Sequence, residues 1–231
     1  MALPDWSEIR SLETTPLDAL FARDADRLGT LSADVAGIHF DWSKTHLTAE
    51  AVAAFATLAG EMGLTAKRDA LFAGEAINVT EGRAAEHGAE RGEGAPESVA
   101  RAKAYHARMR ALIDAIEAGA FGEVRAVLHI GIGGSALGPD LLVDALGRDA
   151  DRYQVEIVSN VDGVALENAM DRLDPKTTLL AIASKTFTTT ETMLNAESAL
   201  AWMAEGGVED PYGQVIALTA APEKAVEWGV D

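Results

Sequence analysis

The sequence predicts an α/β protein: a doubly wound parallel sheet preceded by an N-terminal helical region. Three observations carry that prediction. From about Arg125 four short, β-branched-rich apolar runs recur, RAVLHIGI, QVEIVSN, TTLLAIAS and QVIALTA. Between them lie segments whose apolar residues repeat at three and four, the period of a helix face. Two joints carry helix-start chemistry, with Asp162 opening DGVALENAMDRL and Thr190 opening TETMLNAESALAWM. Strands alternating with helices imply parallel pairing with both faces of the sheet covered, because each parallel connection must cross over a face.

The chain before this pattern reads differently. Val52, Phe55, Leu58, Ala59 and Met62 mark one apolar face of a helix over Ala49 to Met62, and Met109, Leu112, Ile113 and Ile116 mark another over Glu97 to Ala118. Between them GEAINVTEGRAAEHGAERGEGAPE has neither period, is rich in Gly and charge and ends at Pro96, so it reads as a long loop. Residues 1–120 are therefore expected to form the helical region, and residues 121–231 the sheet-bearing domain. Asn78-Val79-Thr80 fits a glycosylation sequon, but no secretory leader is visible and the stretch reads as ordinary loop.

Composition bounds the function. The chain has 231 residues, 48% of them hydrophobic and 24% charged, enough for a sizeable core in a soluble protein. With no cysteine, neither a disulfide framework nor a cysteine nucleophile or metal site is available, and a reducing, cytoplasmic setting is expected. No apolar run reaches membrane-spanning length. A formal net charge of −18 repels polyanions, so nucleic acid and anionic membrane are poor partners. A single small phosphate is another matter, because backbone amides and one cation can bind it locally inside an acidic protein.

Two motifs fall at strand ends, where ligands collect in such sheets. In HIGIGGSALGPDLL, residues 129–142, Gly131, Gly133 and Gly134 allow positive φ and close approach of a ligand to backbone amides. Ser135 stands where a cap is expected, before a helix of about Pro139 to Leu146 whose positive end faces the same space. Gly119, by contrast, is expected to tolerate a side chain. After LLAIA comes SKTFTTTET, with hydroxyls on Ser184, Thr186, Thr188, Thr189, Thr190 and Thr192 and one cation, Lys185. Hydroxyls and outward amides at a helix start suit a tetrahedral phosphate monoester, whose oxygens accept from O–H or N–H without an arginine clamp. About half of these threonines are expected only to cap the helix or face solvent.

GIGGSALGP, SNVDG and ASKTFTTTETMLNA, in this order and spacing, together with the earlier FAGEAINVTEGRAAEH, closely resemble the glucose-6-phosphate isomerase family. The resemblance implies a sugar-isomerase (SIS) domain over residues 121–231, incomplete on its C-terminal side. It also implies interconversion of glucose 6-phosphate and fructose 6-phosphate through a cis-enediol, with neither metal nor nicotinamide. Carried over to this sequence, Gly134 and Ser135 are substrate contacts near the sugar, Ser184, Lys185, Thr186, Phe187, Thr188 and Thr189 form the phosphate loop, and Thr192 is a further hydroxyl donor. Phe187 is expected to contribute backbone while its ring packs. The family resemblance further implies a homodimer in the complete enzyme. One departure is Ala136, where the family commonly has an acidic residue; it is expected to affect the loop's surroundings more than the phosphate contact.

Family members run to about twice this length, and their enediol-stabilising Arg, base Glu, ring-opening His and late Lys belong downstream of residue 231. His129 reads as core, and His87 and His106 as loop and helix-face residues, so no catalytic residue is assigned; His87, Glu81 and Glu191 are acid-base groups near the shared phrases and the first to mutate should turnover be found. Two other readings compete. A sugar-phosphate-sensing SIS module would use the same cradle without chemistry, but the helical region lacks a basic face for a nucleic-acid output. A dinucleotide-binding dehydrogenase is suggested by Gly131-x-Gly133-x-x-Ala136, yet its second strand should close on an acidic residue, and QVEIVSN closes on Ser159 and Asn160.

Overall fold

In the computed structural model, which describes residues 5–80, 82–147 and 152–230, the chain divides into two compact units, Met1–His106 and Ala107–Asp231. The first unit contains short helices α1 (Ser7–Ser11), α2 (Leu17–Arg23) and α3 (Arg27–Thr30), then strands β1 (Ser32–Val35) and β2 (Ile38–Asp41), then helices α4 (Ala49–Glu61) and α5 (Leu64–Phe72). Helix α6 (Pro96–Glu117) spans the division between the units.

The β1–β2 hairpin is absent from the sequence reading. It turns through Ala36 and Gly37 at φ +51° and +80°, the pair of positive φ angles that matches hairpin twist. Helix α4 starts as expected, with the Thr48 hydroxyl accepting from the Ala51 amide. Its buried face is offset, however: Ala51, Ala54 and Leu58 are buried, while Val52, Phe55 and Met62 are exposed. Asn78 Oδ1 accepts from both the Thr80 amide and its hydroxyl, closing a local turn. Gly119 lies at φ +84° just beyond α6, so it is not the tolerant position the sequence suggested.

The second unit holds strands β3 (Ala126–Gly131), β4 (Gln154–Val158), β5 (Thr178–Ala183) and β6 (Val215–Leu218). Helices α7 (Gly134–Leu146), α8 (Gly163–Met170) and α9 (Thr190–Glu205) connect them, and α10 (Pro222–Trp228) follows β6. The four strands pair in parallel in the order β4-β3-β5-β6. All six residues of β5 are buried, which is why its sequence is continuously apolar rather than alternating.

The connection from β3 to β4 leads one way along the sheet, and those from β4 to β5 and from β5 to β6 lead the other. Right-handed crossovers then put α7 on one face and α8 and α9 on the opposite one. Packing agrees. Leu128, Ile130, Leu180 and Ile182 share a core cluster with Leu166 of α8, and with Ala196, Ala199, Leu200 and Met203 of α9. Full burial of the leucine, isoleucine and methionine side chains among these stabilises by roughly 1.5–3 kcal/mol each. The sheet reverses direction between β3 and β5, so a crevice opens beyond their carboxyl ends.

Candidate functional site

Gly131 pairs with Ala183 across β3 and β5, so both glycine- and hydroxyl-rich motifs leave the sheet side by side at the reversal point. The first turn depends on two glycines for different reasons. A Cβ on Gly131 would lie 2.7 Å from the Ser135 carbonyl oxygen, a clash with backbone that cannot swing away. Gly133 sits at φ +55°, ψ −121°, a conformation essentially reserved for glycine. Gly133 and Gly134 are exposed.

The structure corrects the start of the following helix. α7 begins at Gly134, with Gly133 as its cap, so Ser135 lies inside the first turn and does not cap it. Pro139, read from sequence as the first helical residue, lies within the helix. Proline has no N–H, so the Ser135 carbonyl four residues earlier gains no helical donor. His129 supplies one: its Nε2 lies 2.7 Å from that oxygen. His129 is buried, as expected of a core residue. The Ser135 hydroxyl forms no hydrogen bond among the described residues and stands half-buried beside the turn.

The second motif forms the loop between β5 and α9. Ser184, 3% exposed, shares a hydrogen bond with the Thr189 hydroxyl at 3.1 Å, and the exposed Thr186 and Thr188 hydroxyls share one at 2.8 Å. Phe187 buries its ring and holds its backbone at φ +51°. Among the described residues, no protein oxygen accepts from the amides of Lys185, Thr186, Thr188 or Thr189. Nor does any carboxylate lie within ion-pair distance of the exposed Lys185 ammonium. Thr189 rather than Thr190 is the cap residue of α9, and it makes no side-chain capping bond. The first amides of this helix are thus open to an incoming acceptor.

Thr192 does not join the exposed hydroxyls. It lies on the inward stripe of α9 with Asn195, Ala196 and Ala199; the residue is 1% exposed and its Oγ1 has no hydrogen-bond partner. Spacing explains the difference, since residues three and four apart share one helix face. Asn195, which the sequence reading did not single out, donates from Nδ2 to the Asn160 carbonyl at 2.7 Å and ties α9 to the loop after β4. In that loop the Asp162 carboxylate accepts from the Val164 amide at 2.9 Å. It caps α8, so it is committed elsewhere than to a ribose hydroxyl.

The remaining acid-base groups are placed as follows. His106 pairs with Glu90 at 2.7 Å on an exposed surface, His87 and Glu191 are exposed, and Glu81 lies outside the described residues. On β4, two hydrogen bonds from Arg172 hold the Glu156 carboxyl below the usual glutamate range. Among the described residues no group of three His, Asp or Glu could hold a metal ion, and no helix is long and apolar enough to cross a membrane. In the first unit a cavity of about 290 Å³ is lined by Phe72, Glu86, His87 and Ser98 among others, and it includes no residue of the two motifs.

Comparison with known proteins gives a consistent result. The family model described as phosphoglucose isomerase matches residues 41–231. A glucose-6-phosphate isomerase of Rhizorhabdus wittichii is 67% identical over 226 residues, and one of Zymomonas mobilis is 59% identical over 226; each alignment covers 98% of this chain and 45% of the relative. The crystal structure of a glucose-6-phosphate isomerase from Chlamydia trachomatis superposes with a TM-score of 0.78 at 24% identity, covering 93% of this chain and 44% of that one. The chain spans about half the length of the curated relatives it matches.

Proposed function

The chain belongs to the phosphoglucose isomerase family, and from that premise we propose that it supplies the phosphate-binding part of a glucose-6-phosphate isomerase. The reaction is the reversible conversion of glucose 6-phosphate to fructose 6-phosphate. An acid-base group opens the sugar ring, and a carboxylate then carries a proton between C2 and C1 through a cis-enediol. Those groups are not assigned to residues of this chain.

The role proposed here is to hold the far end of the substrate. The phosphate on C6 accepts from the hydroxyls of Ser184, Thr186, Thr188 and Thr189 and from the loop amides around Phe187. Lys185 contributes charge, and the positive end of α9 adds to it. Gly134 and Ser135, on the adjoining loop, face the sugar. Fixing the phosphate restricts where C1 and C2 can lie, so binding energy remote from the chemistry lowers the barrier to reaction. The complete enzyme is expected to be a cytoplasmic homodimer working in glycolysis and gluconeogenesis.

The observation that carries this reading is the register of Gly131 with Ala183, which puts an exposed glycine turn beside a loop of hydroxyls and unpaired amides. Its test is titration of the chain with fructose 6-phosphate, with fructose as the phosphate-free control. Saturable binding of the ester alone is expected. Replacing Thr186 and Thr189 together by Ala should weaken it, each lost hydroxyl contact to the charged ester counting for roughly 1.5–3 kcal/mol. Unchanged affinity in that double variant would remove the assignment.

A further inference from the structure

We propose that Trp228 is a positioning residue for the phosphate loop: its indole holds the Phe187 ring and thereby keeps the loop backbone in its binding conformation. The inference rests on reading residues 184–189 as a phosphate cradle. Phe187 and Ala36 are the non-glycine residues with positive φ among the described residues, and Phe187 is much the bulkier. Its conformation is disfavoured by crowding of Cβ against the backbone, so it persists only where the surroundings over-determine it.

Hydrogen bonds of the loop and packing of the ring do so. The start of the loop is tied to the segment after β6. The Ser184 amide donates to the Leu218 carbonyl at 3.1 Å, and the Lys185 carbonyl accepts from the Ala220 amide at 3.0 Å and the Thr219 hydroxyl at 3.3 Å. These bonds stop short of Phe187, whose own amide donates to the Ser184 carbonyl at 3.2 Å and whose neighbours Thr186 and Thr188 share a hydroxyl bond. The Phe187 ring, 4% exposed and part of the core cluster, meets Trp228 edge-on, with centroids 5.9 Å apart and planes at 76°. Trp228 in turn meets Tyr212 edge-on at 5.3 Å and 66°. The neighbouring Gly229 permits that packing, since a Cβ there would lie 2.9 Å from Tyr212 Cε1.

Ring and backbone form one element. Relaxing φ at Phe187 toward negative values rotates the peptide group carrying the Thr188 amide relative to the half of the loop anchored by Ser184, and it also swings the ring out of its contact with Trp228. Holding the ring therefore holds the amide. The distance between Trp228 and any ligand is bridged by Phe187, which makes Trp228 a positioning residue and not a substrate contact.

The test compares Trp228→Leu, Trp228→Phe and Met203→Ala in titrations with fructose 6-phosphate. Met203 is fully buried in the same core cluster but belongs to the far part of α9, so it controls for loss of stability alone. Trp228→Leu should weaken binding about three- to tenfold, the range that an edge-to-face aromatic pair represents. Trp228→Phe should recover most of the loss, and Met203→Ala should leave affinity near wild type even where its melting temperature falls as far. A measurement on the wild-type side chain covers the case in which Trp228→Leu does not fold. With 5-fluorotryptophan incorporated, the Trp228 resonance, identified by its loss in Trp228→Phe, should shift along the same binding curve as the loop amides. Wild-type affinity in Trp228→Leu, an equal loss in Met203→Ala, or a Trp228 resonance indifferent to saturating ligand would overturn the proposal. Absence of saturable binding by the wild-type chain would overturn the phosphate site itself, and this inference with it.

Discussion

His129 and Ser135 are joined by a hydrogen bond from the imidazole Nε2 to the main-chain carbonyl, 2.7 Å long, that stands in for a helical bond Pro139 cannot make. A carbonyl can only accept, so the Nε2 proton is fixed on the side facing Ser135. The same oxygen is the atom that a side chain at Gly131 would strike. One carbonyl thus sets the tautomer of a buried histidine and the residue type at the end of β3.

This arrangement predicts a specific coupling. His129→Leu should destabilise the chain by about 1–3 kcal/mol, because the Ser135 carbonyl loses its donor. In a Pro139→Ala background the new amide at position 139 can bond to that carbonyl, and the same His129→Leu change should cost markedly less. Urea unfolding of the four proteins measures the difference. Equal costs in both backgrounds would show that Pro139 is not the reason for the histidine.

Gly133 and a helix-interior glycine should separate by conformation. Gly133→Val forces a β-branched residue to φ +55° and should damage folding or ligand binding severely. As the comparison, Gly60 lies within α4 at an ordinary φ with nothing within 4 Å of a Cβ placed there, so Gly60→Ala should be neutral or stabilising by up to about 1 kcal/mol. Thermal melts and fructose 6-phosphate titration of both variants test this; similar tolerance at the two positions would make the turn an ordinary one.

How much of this could be read beforehand differs by element. The strands were legible because buried parallel strands are continuous apolar runs, and TTLLAIAS delimits β5 almost to the residue. The β1–β2 hairpin was not, since Ala36-Gly37 lacks the Asn-Gly or Asp-Gly signal and the flanking strands have four residues each. Pro139 misplaced the start of α7 because proline usually marks a first turn, and only a histidine ten residues earlier makes its interior position tenable. The motif residues were identifiable by type, but which hydroxyls face outward depends on helix phase. Thr186 and Thr188 are exposed, while Thr192 turns inward. The positive φ of Phe187 has no local signal at all, being sustained by rings 25 and 41 positions further along the chain, Tyr212 and Trp228.

Acid should weaken the sheet at β4. Glu156 accepts from Arg172 Nε at 2.8 Å and Nη2 at 2.5 Å, and these bonds are the main reason its carboxyl is held below the ordinary range. A carboxyl with a lowered folded pKa binds fewer protons folded than unfolded, so its stabilisation is complete above the unfolded value of about 4.3. It is lost as pH falls through the lowered folded value. Because Arg172 is exposed, solvent screening keeps the pair's contribution small. Melting of wild type against Glu156→Gln should show a gap at neutral pH that closes in acid; a gap that widens on acidification would contradict the assignment.

The last prediction separates binding from turnover. The proposed cradle lies within one strand–loop–helix unit braced by β6 and α10, and among the described residues the hydrogen bonds and ring contact that shape it come from residues 184–228. Residues 1–231 should therefore retain measurable affinity for fructose 6-phosphate. That affinity should be weak, because an open strand-end site leaves much of the ligand in water, whereas small-molecule sites generally bury most of its surface. Isomerisation is a different requirement: it needs a base and a ring-opening acid positioned at C1 and C2, within hydrogen-bond reach of the protons they move. Glu191 and His87 are exposed acid-base side chains within the shared phrases, and among the described residues neither side chain shows a contact that would orient it. A coupled assay on these residues alone, purified from a host lacking its own isomerase, should register binding in parallel titrations and no turnover. Turnover that scales with the concentration of this chain would place the catalytic groups within it, and Glu191→Gln and His87→Asn would be the variants to identify them.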